Sequence, residues 1–93
     1  MKTLTFHEDP GHAWLEVDLA DLRDVGLSYI DFSGYSYVQA EGRRLIRMFL
    51  EEDCDAPKFV KAYEAKHGAR PAFDERFSDP CFVRDLPRNP VGG

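Results

Sequence analysis

The chain has no apolar run long enough to form the core of a signal peptide or to span a bilayer, which excludes a membrane anchor of that kind and leads to a cytoplasmic reading. It has no excess of basic residues either. Twelve Lys and Arg against 17 Asp and Glu give a formal net charge of -5, which argues against binding duplex DNA or an anionic membrane through bulk electrostatics. Cysteine is scarce. Without a secretion signal, Cys54 and Cys81 read as reduced thiols rather than a bridge. No glycine-rich loop for cradling phosphate and no GxSxG nucleophile pattern is present. These absences lead to a non-enzyme without a cofactor.

What the chain does contain is enough apolar material, 43% of 93 residues, for one modest core. Thr3 to His7 alternates, with Leu4 and Phe6 on one face, and Asp9-Pro10-Gly11 supplies a tight turn into a second strand, where Ala13, Leu15 and Val17 oppose His12, Trp14 and Glu16. Asp18 is placed to cap a short helix over LADLRDVG, which ends at Gly26. An irregular loop then leads to a strand near Tyr35 to Ala40. A turn at Glu41-Gly42 introduces RRLIRMFL, whose Ile46, Met48 and Leu50 oppose Leu45, Arg47 and Phe49. Pro57 to Gly68 reads as a helix with Phe59, Val60 and Tyr63 as its stripe, Asp55 as its N-cap and Cys54 as a small buried hydrophobe at the corner.

This order, β-β-α-β-β-α, predicts an α+β domain over residues 1–86, with an antiparallel sheet of about four strands and two helices on one face. An extended C-terminal segment follows, flexible over residues 87–93, and Phe73, Phe77 and Phe82 are spaced along the loop-rich stretch that wraps the domain.

LEEDCDAPKF, residues 50 to 59, is the densest chemical feature. It fails as a calcium loop, because the third acidic ligand, the bend glycine and the distant bidentate glutamate are missing. It also fails as a zinc motif: Cys54 has only Cys81, His7, His12 and His67 as remote partners, none at the paired spacing zinc requires. The positive end of the following helix accounts for some of the acids. The remainder of Glu51, Glu52, Asp53 and Asp55 is either a solvated rim or a contact surface for a basic partner. His7 and His12 read as exposed residues beside a turn. On the sheet face opposite Leu4, alternation places Trp14, Tyr37, Phe49 and Arg47, which either stack single-stranded bases or are covered as a second small core.

HAWLEV at 12 to 17, YSY at 35 to 37 and LEEDCDA at 50 to 56 resemble blocks of small uncharacterised proteins of phages, plasmids and bacterial genomic islands, where they run close to HGWLxV, SxYSY and YLEEDCDA. Ala13 stands in place of glycine and Phe49 in place of tyrosine. The resemblance covers about the first two-thirds of the chain. It implies a mobile-element accessory protein, of a kind that includes anti-CRISPR inhibitors. The expected partner is a host protein or ribonucleoprotein complex with a basic surface, met by the acids and the aromatic group, with single-stranded nucleic acid as the alternative.

Overall fold

The computed structural model describes residues 2–90. Strand β1 (Thr3–Glu8) pairs antiparallel with β2 (Ala13–Asp18), with Phe6 opposite Leu15 and His7 opposite Trp14. The carboxylate of Asp9 accepts hydrogen bonds from the Gly11 and His12 N–H groups and so builds the turn between them. Helix α1 (Leu19–Asp24) starts at Asp18, which accepts from Asp21 N–H while the Asp21 carboxylate accepts from Asp18 N–H. The chain passes through a short 3-10 turn, Tyr29–Asp31, into β3 (Tyr37–Glu41), reverses at Gly42 with φ 59°, and continues as β4 (Arg44–Glu51). Helix α2 (Asp55–His67) ends at Gly68, φ 75°, where a left-handed residue is required.

The sheet has a fifth strand, β5 (Ala72–Phe77), parallel to β1, in the strand order β3-β4-β2-β1-β5. The expected antiparallel sheet of about four strands is therefore a five-stranded mixed sheet. The α+β class stands. Strands β4 and β5 run in the same direction, and two such strands need a crossover, which α2 supplies. β5 escapes the sequence pattern because it is an exposed edge, with Asp74, Glu75 and Arg76 between two phenylalanines.

One face of the sheet carries Leu4, Leu15, Val17, Met48 and Leu50 under Leu22 of α1 and Ala56, Phe59, Val60 and Tyr63 of α2. Each large apolar side chain buried here contributes about 1.5–3 kcal/mol. Between β3 and β4, Gln39 pairs with Arg47 but Ala40 pairs with Leu45, so Ile46 is an extra residue. The bulge turns Leu45 to the helix side, against the simple alternation that set it beside Arg47 and Phe49.

The opposite face carries Trp14, Tyr37 and Phe49 under Cys81, Val83 and Leu86, which flank and form the 3-10 turn Phe82–Asp85. The last described residues then run along the outer edge of β3. Val38 N–H donates to the Pro87 carbonyl (2.8 Å), Arg88 bridges Tyr37, and Asn89 N–H donates to the Ser36 carbonyl (2.8 Å). Residues 87–89 are thus docked rather than free, and the remainder of the expected flexible tail, 91–93, lies outside the described residues.

Candidate functional site: an acidic corner and the junction behind it

Trp14 pairs with Glu51, so the end of β4 lies beside the β1–β2 turn. Glu52 N–H donates to the Ala13 carbonyl at 3.1 Å, which anchors the corner to that turn. The four acids expected to act together divide here. Glu51 is half-buried, and its carboxylate accepts from Asp53 N–H (2.6 Å) and Cys54 N–H (3.3 Å), closing the turn that leads into α2. Glu52 and Asp53 are exposed.

Asp55 is neither an N-cap nor part of the rim. It is the first residue of α2, 2% exposed, while Cys54 occupies the cap position with no side-chain hydrogen bond. The Asp55 carboxylate accepts from Ser33 N–H (3.0 Å), Ser33 Oγ (2.7 Å) and Ser36 Oγ (2.5 Å), and Ser36 Oγ in turn accepts from Glu51 N–H (3.0 Å). These donors and the positive end of α2 stabilise a buried charge that would otherwise be costly. Buried Asn89 closes the same loop from the other side, donating from Nδ2 to the carbonyls of Tyr29 (3.0 Å), Phe32 (3.1 Å) and Ser33 (3.2 Å). The three blocks HAWLEV, YSY and LEEDCDA meet at this junction. Its polar groups hold the chain together, except for Asn89 Oδ1, which is buried without a hydrogen-bond partner. Cys54 is exposed, not the buried hydrophobe expected at the corner, because the turn after Glu51 projects beyond the core.

The aromatic group is also placed differently from an open face. Trp14 (2% exposed), Tyr37 (8%) and Phe49 (1%) form the second core, so none is free to stack on a base. Of the three phenylalanines expected to cover them, only Phe82 does so, edge-on to Phe49 at 5.5 Å. Phe73 packs on Phe6 on the helix side (5.1 Å), and Phe77 is 66% exposed. Arg47 lies 3.8 Å from Glu16, which also bonds His7 at 2.8 Å. Arg47 lies in the middle of β4, opposite Asp18, whereas the acidic corner begins at the strand's last residue, Glu51.

The electrostatics single out Glu52. Its carboxyl is pushed above the ordinary range, first by partial desolvation and then by the charges of Asp53 and Glu51, with Glu8 adding to them and His12 opposing. Among the described residues, no cation forms an ion pair with Glu51, Glu52 or Asp53; the exposed Glu41, Glu75, Asp79 and Asp85 also form none, but only at this corner do three acids without an ion pair stand consecutively. Beside Glu52, a shallow depression of about 310 Å³ is lined by Glu8, Pro10, His12 and Phe77. No group of His, Cys, Asp and Glu with metal-holding geometry occurs among the described residues, and no helix of theirs is long and apolar enough to cross a membrane.

The fold and corner define a small α+β domain with a mixed sheet and an unneutralised acidic edge. No family model, curated protein or solved structure matches the chain. Sequence reasoning missed Ser33, Ser36, Asn89 and the Asp9–Arg84 ion pair, whose partners are far apart in the chain. The signal available was the pair Ser33 and Ser36 in a loop that had no other source of rigidity.

Proposed function

We propose that this chain is a non-catalytic accessory protein of a mobile element that binds a basic surface on a host protein or ribonucleoprotein complex, acting as a counter-defence inhibitor of the anti-CRISPR kind. The context comes from the resemblance of its three sequence blocks. The observation that carries the mode of binding is the pair Glu52 and Asp53, exposed and without a cationic partner among the described residues, while Glu51 and Asp55 are used internally. Unpaired carboxylates that repel one another gain most when a cation arrives. A basic surface would relieve that repulsion, speed encounter and select the partner, while neighbouring apolar groups would supply much of the affinity.

The test is capture from nuclease-treated lysate of a bacterial host, comparing the wild-type chain with Glu52→Lys/Asp53→Lys. A stoichiometric protein held by the wild type and lost by about tenfold in affinity, roughly 1.4 kcal/mol, by the variant at equal thermal stability is the expected result. Equal capture by both forms would refute the acidic corner as the contact. Recovery of nucleic acid alone would overturn the protein partner.

A further inference from the structure

The sheet has two edges, and the chain treats them differently. Residues 87–89 cover the edge of β3 through backbone hydrogen bonds to Val38 and Ser36. The far edge of β5 has no strand beyond it among the described residues. The hydrogen bonds fix which groups that edge offers. Ala72 N–H donates to Lys2 and Ser78 N–H to Glu8, so the even-numbered residues of β5 direct their backbone toward β1. Because direction alternates along a strand, Phe73, Glu75 and Phe77 direct their N–H and C=O groups outward.

An exposed edge is ordinarily blunted by charged side chains, lysine above all, by proline, by a bulge or by very short length. Within β5 there is no proline, no lysine and no bulge. Its charged residues instead stand in a self-complementary order. When the strand is laid antiparallel to its own copy about Glu75, Phe73 falls opposite Phe77 and Asp74 opposite Arg76, each pair occurring twice. The outward-facing residues then pair with one another, as antiparallel hydrogen bonding requires, and Asp74 and Arg76 occupy the closer, non-hydrogen-bonded positions, where opposite charges interact best. Sliding by two residues, the smallest shift that keeps outward-facing residues paired, brings Asp74 opposite Asp74 or Arg76 opposite Arg76 and sets a phenylalanine against Glu75. The pairing thus has one favoured register.

Other features of β5 agree with this register. Phe77, at 66% exposure, has no apolar cover in the single chain, whereas Phe73 is already held between Phe6 and the guanidinium of Arg70 and offers a fixed surface for a second ring. Asp74 and Arg76 bond each other along the strand at 3.2 Å while remaining largely exposed, so they exchange partners at little cost when a second copy arrives.

We infer that β5 is a homodimerisation edge, at which two copies pair antiparallel about Glu75 and their sheets become continuous across a two-fold axis. Glu75 faces its own copy across that axis. Like charges directly opposite oppose association, so Glu75 limits affinity and keeps the contact reversible. The charge pairs of this interface do not involve Glu52 or Asp53, although Phe77 also lines the depression beside Glu52.

Sedimentation velocity of the full chain over a concentration series tests the inference. The wild type is expected to shift from 10.7 kDa toward twice that mass as concentration rises. Asp74→Arg and Arg76→Asp each place like charges opposite and should weaken self-association at least tenfold, yet an equimolar mixture of the two should associate, because each chain then complements the other. Glu75→Gln should tighten the dimer, an effect of opposite sign that general destabilisation would not produce. Glu75→Pro removes an outward N–H that β1 does not use and should abolish pairing. If that variant fails to fold, the charge-swap mixture decides, since both its positions are exposed. A wild type that stays at monomer mass throughout, or a dimer indifferent to the charge reversals and their mixture, would overturn the inference.

Discussion

On one face of the sheet, two helices close a core of aliphatic residues, several from β2 and β4 at the centre of the fold. On the other, a strap of 3-10 turn and extended chain, residues 81–89, lays Cys81, Val83 and Leu86 over Trp14, Tyr37 and Phe49. The helix side is built from periodic elements whose backbone hydrogen bonds are internal. The strap side depends on a few long-range attachments: Pro87 to Val38, Asn89 to Ser36, and Arg84 to Asp9. Cores of comparable dryness can therefore differ in how they fail, the first as a whole and the second locally.

The sharpest way to break that contrast is a pair of truncations. Leu50→Ala on the helix side should lower unfolding free energy by about 2–5 kcal/mol and move the urea midpoint of the entire domain. Val83→Ala on the strap removes roughly two methylene equivalents, about 1.6 kcal/mol, and should accelerate exchange of the Val38 and Asn89 amides far more than it moves the global midpoint. Both side chains are fully buried, so burial alone does not separate them. If Val83→Ala left the Val38 amide as protected as in the wild type, the strap would be part of the global unit.

The next effect concerns the junction between the two regions. Asp55→Ala strands the hydroxyls of Ser33 and Ser36 and removes a charge that accepts three hydrogen bonds, for a cost of about 3 kcal/mol. Because Ser36 also receives Glu51 N–H and its carbonyl takes Asn89 N–H, the loss should loosen both sides. Asp55→Asn keeps the shape but turns one acceptor into a donor facing hydroxyls that can rotate, so it should fall between wild type and alanine. Chemical denaturation of the three forms measures the series, and an Asn variant as damaged as Ala would show that charge rather than occupancy is what counts.

The helix side was largely legible from the sequence, the strap only as a loop-rich stretch that covers a second small core, and the junction not at all, and the difference is one of range. Leu4 and Phe6, Leu15 and Val17, and Phe59, Val60 and Tyr63 announce their faces by local period, and Asp18 and Gly68 mark ends by local chemistry. Asp55 looks like a cap for the same local reason, and its true partners lie 19 and 22 residues away, where no spacing rule reaches. β5 hides because its pairing with β1 crosses most of the chain and needs few apolar residues. Of the candidate site, the acidic corner was visible as composition. Which acids are free was not, since that depends on which backbone N–H groups Glu51 and Asp55 meet.

The smallest effect discriminates most finely between the two faces, because it acts on the strap's ion pair. Arg84 donates to both carboxylate oxygens of Asp9 while its guanidinium stacks 5.2 Å over Trp14, so one side chain ties the turn, the strap and the lone tryptophan together. Arg84 holds the Asp9 carboxyl well below its ordinary value of 3.8, with the Gly11 and His12 N–H groups adding to the effect against burial. A carboxylate whose folded value is depressed contributes stability that is complete above the unfolded value and is lost as pH falls toward the folded one. Trp14 emission should therefore hold steady down to about pH 4 and shift to the red below it, ahead of the loss of helical circular dichroism. Asp24 is depressed as well, by Lys66 and then His67, so acid also loosens the helix side, and the wild-type curve alone cannot assign the step. Asp9→Asn separates the two. It should show the red-shifted emission already at neutral pH and no acid step in fluorescence, while the circular dichroism transition set by the helix side remains. Fluorescence and circular dichroism that move together in the wild type, with the same acid step persisting in Asp9→Asn, would mean that the strap has no stability of its own to lose.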